Sequence, residues 1–491
     1  MDADATSSVP AQPPNGATKF LRIFTDIHPG EALTASLLTL NVFLLLTAYY
    51  IIKPIREALI LGSWSPEAKS YMGVAQAVLL IFIVKIFSRL ASRVPRQILI
   101  TRVTLFFISN LMLFYALHGV GLSGKAVGAA YFIWVGIFNV MVIAQFWAFA
   151  NDIYTMEAGK RLFPIVAFGA TLGGFVGSQL AKKLANTRSV YEMMLVAGAI
   201  LGACIVFARV IHHREVKGRT GRRPAGGPPG APALPVAPAL LVTPASPATA
   251  LPAPADAAED KAKPLEKGGG FRLLWKSRYL LSIAVFVLLL NFVNTNGEYI
   301  LGNIVTPAAH KAAEAAALPA AQAAEFVQQY IARFYADFNA IMNLWAMFVQ
   351  LFVVSRVFKW FGVRWAMFFL PLIALGGYTA VSLGASLLMV KWVKALENGS
   401  DYSIMNTTRH ALFLITTREE KYKAKAAIDT FFQRTGDTLS ALLVFLNMTF
   451  FSLRIETIAL INVVAVAAWI GVGVLIFRQH KALSAAKEGN R

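Results

Sequence analysis

The fold of this chain is decided by apolar stretches such as residues 33–57, LTASLLTLNVFLLLTAYYIIKPIRE. The first 20 of these residues carry no charge, and a helix needs about 20 apolar residues to cross the hydrocarbon core of a bilayer. Similar runs follow at 70–90, 98–118, 126–150, 162–183, 191–211, 279–301, 331–354, 365–383, 385–413, 424–447 and 455–477. The pattern predicts an all-α polytopic membrane protein with about twelve transmembrane helices.

The composition excludes an ordinary soluble protein. Of 491 residues, 57% are hydrophobic and 15% are charged, whereas soluble domains have about 45–50% apolar and 25% charged residues. The single cysteine, Cys204, lies in an apolar run, and the seven histidines are scattered. We therefore expect no disulfide framework, no metal site and no cofactor.

The formal net charge of +20 has two readings, nucleic-acid binding or an excess of basic residues in cytoplasmic loops. The basic residues favour the second, because they concentrate in alternate loops. They are Arg89, Arg93 and Arg96 after span two, Lys160 and Arg161 after span four, Arg356, Lys359 and Arg364 after span eight, and Arg418, Lys421, Lys423 and Lys425 after span ten. We expect both termini to be cytoplasmic, the lipid bilayer to be the surroundings, and no nucleic-acid partner.

The spans fall into two groups of six on either side of a polar segment. Residues 33–211 are predicted to form an N-terminal bundle and residues 279–478 a C-terminal bundle. Residues 212–278 hold eleven of the 22 prolines, with many alanines and basic residues, and are predicted to be a disordered cytoplasmic linker. Residues 1–32 and 479–491 are predicted to be a cytoplasmic N-terminal segment and a cytoplasmic tail.

The two groups repeat short patterns in the same order. The pairs are Glu57-Ala-Leu-Ile-Leu-Gly62 with Glu298-Tyr-Ile-Leu-Gly302, Ser88-Arg89 with Ser355-Arg356, and Glu157/Gly174 with Glu419/Gly436, each of the last two pairs being 17 residues apart. Two parallel six-helix halves joined by a basic loop are typical of major-facilitator-like transporters. Their substrate site lies between the halves near the middle of the membrane.

Ionisable residues inside the spans are the strongest functional signal, because each costs about 2.5–3.5 kcal/mol at a helix centre. Arg56 and Glu57 follow Lys53 by three and four residues at the end of span one, so they share one helix face with it. Arginine and lysine beside tyrosines would suit an anionic, ring-bearing ligand. The alternative is that the helix ends here and the basic side chains reach the outer interface.

The C-terminal spans carry further charges. Glu298 in span seven needs a basic partner, and we expect Lys53 or Arg56 to provide it. Spans ten and eleven carry charges at helical spacing, which are either structural ion pairs or part of a pathway: Lys391, Lys394, Glu397 and Asp401, then Lys425 with Asp429 and Arg434 with Asp437.

Other motifs favour packing or carry no function. Gly169, Gly173 and Gly177 are spaced by four residues and predict a close helix–helix contact. The run from Gly119 to Lys125 imitates a nucleotide-binding loop but is followed by Ala126 and has no preceding strand. Since no nucleophile–base pair is visible either, the sequence does not indicate an enzyme.

The chain resembles a known family, the nucleotide transporters of plastids and obligate intracellular bacteria (the ATP/ADP translocase type) and their relatives in free-living bacteria. The resemblance rests on QFWAFAND at 145–152, EAGKRLFP at 157–164, the glycines at 169–174, KPIRE at 53–57, EKYKAKAAID at 420–429 and RTGD at 434–437. It extends over most of both halves and fails in the linker.

The resemblance implies counter-exchange of nucleotides, and hence nucleotide and ATP binding, by alternating access in a bacterial inner membrane. Arg56 stands where the family has a basic residue, Glu57 matches the acid after it, and Glu298 matches the acid in span seven. Gln145 replaces an acid and Asp437 replaces a lysine, which argues against a highly charged adenine nucleotide and leaves another nucleotide, a smaller phosphorylated metabolite or another anion as the expected substrate.

The sequence thus predicts an ATP:ADP-type antiporter with Lys53, Arg56 and Glu298 at its site, and with Asp429, Arg434, Asp437 and Gln145 as secondary candidates. Glu298 is expected to pair with Arg56 until an anionic substrate replaces the carboxylate. Two alternatives remain open: a proton-coupled carrier of another metabolite that uses Glu298 or Asp429, and a non-transporting scaffold or sensor whose basic linker binds a partner or anionic lipid.

Overall fold

The N-terminal half consists of six long helices in a computed structural model that describes residues 31–122, 124–154, 156–220, 270–417 and 419–488. The helices are α1 (Glu31–Ser63), α2 (Pro66–Arg93), α3 (Arg96–Gly119), α4 (Lys125–Ile153), α5 (Met156–Thr187) and α6 (Glu192–Thr220). Short turns connect them, so that successive helices run in opposite directions across the bundle.

The C-terminal half has the same plan with more interruptions. The short α7 (Gly270–Lys276) precedes α8 (Arg278–Ala315), α9 (Ala320–Phe348), α10 (Val354–Trp360), α11 (Gly362–Ala366), α12 (Phe369–Ser382), α13 (Leu387–Ser400), α14 (Asn406–Leu412), α15 (Lys425–Ala427), α16 (Gln433–Leu446) and α17 (Ile455–Glu488). π-helical turns lie at Val349–Val353, Asp401–Met405, Glu420–Ala424, Ile428–Phe432 and Asn447–Phe451. Such turns locally rotate the side chains that follow them.

The predicted fold class, an all-α polytopic membrane protein, is confirmed. Among the described residues, 10 helices are long and apolar enough to cross a membrane, and these residues form no strand. Predicted spans ten and eleven are also helical, through 387–415 and 420–451. Their charges set them apart from the other ten.

Several helices are longer than the apolar runs that predicted them. α1 continues ten residues past Lys53, through Pro54, and α8 continues to Ala315. A proline is tolerated there because neighbouring helices can satisfy the freed backbone groups. Helix also occupies 212–220 and 270–276 of the predicted linker and 479–488 of the predicted tail. Residues 1–30, 221–269 and 489–491 lie outside the described residues.

Glycines set the closest helix crossing in each half. A Cβ atom on Gly173 of α5 would lie 2.3 Å from the carbonyl oxygen of Phe43 in α1. A Cβ atom on Gly436 of α16 would lie 2.4 Å from that of Leu288 in α8. The predicted packing role of the α5 glycines is confirmed, and both halves use a glycine at the corresponding crossing.

The two halves meet mainly at one end of the molecule. We call the end with the turns at 63–66, 187–192 and 315–320 the far end, because it lies opposite the first and last described helix ends. Here Gly62 faces Gln328 of α9, with 2.9 Å from a Cβ position to Cγ, and Gly302 faces Pro66 of α2 at 3.4 Å. At the other end, the terminal end, residues 401–432 make no extensive contact with the described part of the N-terminal half.

Candidate functional site

The charges of α1 lie well inside the helix. Because α1 continues to Ser63, Lys53, Arg56 and Glu57 are separated from its far end by at least six residues. Lys53 is 9% exposed and Glu57 is 2% exposed. The alternative that these side chains snorkel from a helix terminus is therefore wrong.

Glu57 is held by two cations of its own half. Arg56 Nε donates to Glu57 Oε1 at 2.9 Å, and Lys69 Nζ lies 2.6 Å from Glu57 Oε2. The Arg56 guanidinium also lies over the Phe132 ring, 5.1 Å from its centroid. Two cations and burial fix this carboxylate in place.

Lys69 is the central residue that the sequence reasoning missed. Lys69 immediately precedes the predicted span two (70–90), but Ser65 caps α2 and Pro66 begins it, which puts Lys69 in the first turn of the helix. Its Nζ lies 3.7 Å from Glu298 Oε2 of the other half and 5.4 Å from the Tyr335 ring centroid. Ser65-Pro66 was the available signal, since both are typical of a helix start.

Glu298 is held more loosely than Glu57. The Asn398 side-chain amide donates to its Oε1 at 2.9 Å, its second oxygen faces Lys69, and its side chain is 29% exposed. The prediction that Lys53 or Arg56 pairs with Glu298 is wrong. Arg56 pairs with the adjacent Glu57, and Lys69 lies between the two carboxylates. Glu298 nonetheless belongs to the same group of charges.

Lys53 is the unmatched cation of this group. Its ammonium lies 5.4 Å from the centroid of the Tyr50 ring, and no carboxylate of the described residues lies within ion-pair distance of it. We call Lys53, Arg56, Glu57, Lys69 and Glu298 the central cluster. Its three cations and two carboxylates leave one positive charge, which favours an anion.

The secondary candidates of span eleven form ion pairs. Asp437 pairs with Arg434 at 3.3 Å and accepts from the Thr295 hydroxyl at 2.7 Å. Thr295 lies three residues before Glu298 on α8, so this pair borders the central cluster. Asp429 pairs with Lys425 at 3.0 Å and Arg409 at 3.1 Å, within the C-terminal half.

The charges of span ten separate into two groups. Lys394 pairs with Glu397 at 3.2 Å and donates to the Asn294 side chain at 2.6 Å. Lys391 instead pairs with Asp337 of α9 at 2.6 Å. Asp337, like Lys69, was not among the predicted residues.

Gln145 lies away from the central cluster, inside the N-terminal half. It lines a small cavity of about 30 Å³ with Asn41, Thr104 and Cys204, among apolar side chains from α1, α3, α4 and α6. Neither its amide oxygen nor its amide nitrogen has a hydrogen-bond partner among the described residues. This cavity has room for about two water molecules.

Comparison with known proteins concerns the family and the fold. Residues 246–480, just under half of the chain, match the family model described as TLC ATP/ADP transporter. No curated protein matches.

Two solved structures share the fold at low sequence identity. The nucleoside transporter NupG is 11% identical, with a TM-score of 0.53 over 92% of this chain and 98% of that chain. A bacterial homologue of the iron transporter ferroportin, in an inward-facing state, is 11% identical, with a TM-score of 0.57 over 91% of this chain and 98% of that chain.

Proposed function

We propose that this chain, a membrane transporter whose residues 246–480 match the TLC ATP/ADP transporter family, exchanges nucleotides or related phosphorylated anions by alternating access. The observation that carries the proposal is Lys53, a buried ammonium with no carboxylate within ion-pair distance among the described residues. A buried charge without a partner is costly. An anionic substrate would supply the missing charge.

The orientation follows from the basic loops. Arg161, Arg356 and Lys359 lie at the terminal end, which we propose is cytoplasmic. The halves then meet on the outer side of a bacterial inner membrane, and the substrate reaches the central cluster from the cytoplasm.

The central cluster explains exchange rather than free movement. Without substrate, Lys69 links Glu57 of one half to Glu298 of the other and holds the halves together. A phosphate group beside Lys53 competes with Glu298 for Lys69 and releases the contact between the halves. Because the empty carrier stays linked, it reorients slowly, and uptake requires a substrate on each side of the membrane.

Arg434 is proposed as a second contact for the substrate, from the C-terminal half. Its pair with Asp437 borders Glu298 through Thr295, and its side chain is 26% exposed. Gln145 is left out of the contact set, because it faces the cavity inside the N-terminal half.

The test is uptake of labelled ATP, ADP and inorganic phosphate into proteoliposomes, either empty or preloaded with the unlabelled anion. We expect uptake only into preloaded vesicles and a loss of at least about tenfold in Lys53→Met, the equivalent of about 1.4 kcal/mol. Lys183→Met is the matched control, because Lys183 is exposed.

The competing functions predict different results. Uptake into empty vesicles driven by a pH gradient would identify a proton-coupled carrier. No uptake of any anion, with function lost on deletion of 224–260, would identify the scaffold. Equal uptake by Lys53→Met and the parent would refute the role of Lys53.

A further inference from the structure

A second group of three charges joins the halves, apart from the central cluster. Asp337 of α9 forms ion pairs with Lys182 of α5 at 2.5 Å and with Lys391 of α13 at 2.6 Å. Lys182 belongs to the N-terminal half, whereas Asp337 and Lys391 belong to the C-terminal half. We call these three residues the second bridge, and Glu57, Lys69 and Glu298 the first bridge.

The two bridges occupy matching places in the two halves. The repeat that relates Ser88 to Ser355 is an offset of 267 residues, which carries Lys69 of α2 to position 336 of α9, next to Asp337. One bridge has a base between two acids, and the other has an acid between two bases. The bridging residues thus lie one residue apart in the alignment of the two halves and have opposite charge.

The second bridge lies at the far end, where the halves meet. Lys182 is five residues from the end of α5 and Lys391 is in the first turns of α13. One helical turn deeper on α5, Ser178 is fully buried and accepts a hydrogen bond from Asn343 of α9 at 3.4 Å. Movement of the halves apart at this end has to break the contact between Lys182 and Asp337 before it exposes Ser178.

We propose that Lys182, Asp337 and Lys391 form an outer lock, which together with the first bridge keeps the far end shut while the carrier is open to the cytoplasm. The lock goes beyond the proposed function, although it rests on alternating access. When the halves separate, Asp337 stays with Lys391 on its own half and Lys182 is left without its carboxylate. Loss of this pair disfavours the open state modestly, because Lys182 is 42% exposed and solvent screens its charge once the carboxylate has left.

The test measures opening of the far end directly and needs no substrate. The single cysteine is removed by Cys204→Ala, and Ser178→Cys is introduced as a buried reporter of similar size. Intact cells are treated with a membrane-impermeant maleimide, and the rate of labelling is followed. We expect slow labelling in this parent and labelling at least about fivefold faster in Lys182→Glu and Asp337→Asn.

Matched variants separate the lock from general damage. Lys183→Glu makes the same charge change on the neighbouring exposed residue and should label as slowly as the parent. Reversal of all three charges (Lys182→Glu with Asp337→Lys and Lys391→Glu) keeps the alternating order and should restore slow labelling. If a single variant fails to fold, the labelling rate of the triple reversal is compared with that of Lys183→Glu, and this comparison tests the lock.

Two outcomes would overturn the lock: labelling of Lys182→Glu as slow as that of Lys183→Glu, or labelling of the triple reversal as fast as that of Asp337→Asn. Failure of anion exchange with an intact labelling pattern would refute only the proposed function.

Discussion

Glu57 and Glu298 hold corresponding positions in the two halves, yet their surroundings differ. Glu57 is 2% exposed, with Arg56 and Lys69 both in direct contact. Glu298 is 29% exposed, with an amide at 2.9 Å and its nearest cation at 3.7 Å. One carboxylate is fixed within its own half, while the other is held weakly from across the interface.

The difference teaches how repeated halves can take separate roles. The repeat places a carboxylate near the far part of both α1 and α8, but only the N-terminal half provides two cations beside it. A carboxylate that two cations satisfy stabilises the fold. A carboxylate with one distant cation can change partners, which alternating access requires.

The largest expected effect is on stability. Glu57→Gln leaves Arg56 and Lys69 without their carboxylate in a buried place, so we expect a loss of about 3–5 kcal/mol in the free energy of unfolding. Glu298→Gln should cost less than about 1 kcal/mol. Thermal unfolding of both variants in detergent, followed by tryptophan fluorescence, checks the order. Equal losses would remove the distinction between the two carboxylates.

We expect the glycine crossings to contribute equally to stability in the two halves, so that the halves differ in their charges alone. A methyl group at Gly173 or Gly436 meets a backbone oxygen at 2.3 or 2.4 Å, so Gly173→Ala and Gly436→Ala should each cost about 1–3 kcal/mol. The control is Gly202→Ala, which meets no atom within 4 Å. A cost in one half alone would show that the crossings are not equivalent. The same unfolding measurement applies.

In transport assays we expect the larger effect from substitution of Glu298, the reverse of the order expected for stability. Glu298→Gln weakens the link to Lys69, so the empty carrier should reorient more easily and uptake into vesicles without internal substrate should rise by about tenfold. Asn398→Leu removes the other partner of Glu298 and should give a smaller rise. An unchanged requirement for internal substrate in both variants would contradict the role of Glu298.

The smallest expected effect concerns buried amides. Within the described part of the chain, both amide atoms of Gln145 lack a hydrogen-bond partner, so Gln145→Leu should raise stability by about 1 kcal/mol and leave exchange unchanged. Asn296 instead donates to Asn462 at 3.1 Å and accepts from Ser440, so Asn296→Leu should lower stability. Reduced exchange by Gln145→Leu would contradict this and indicate that Gln145 contacts the substrate.

Much of the fold could be predicted from local patterns. The length of the apolar runs located the helices, and the short patterns that repeat in the same order indicated two halves. Helical spacing predicted the pairs Lys425–Asp429 and Arg434–Asp437, which both form. The boundaries failed where helices continue beyond their apolar runs, as α1 does past Lys53, because helix there is stabilised by packing against neighbours rather than by lipid.

The site was predictable only in part. Lys53, Arg56, Glu57 and Glu298 could be singled out because charges are costly in a membrane, and the structure brings them together. Lys69 and Asp337 could not, since each meets its partners from another helix and neither shares a helical spacing with them.

The sequence by itself determined which helices form, that they repeat, and which buried charges need partners. These properties depend on the length of apolar runs, the spacing of residues along a helix and the cost of a charge in the hydrocarbon core, all of which can be judged from short stretches of sequence. Only the tertiary structure decided which cation each carboxylate meets: Lys69 rather than Arg56 for Glu298, and Lys182 for Asp337. Pairing depends on distances between helices, and packing rather than spacing along the chain sets those distances.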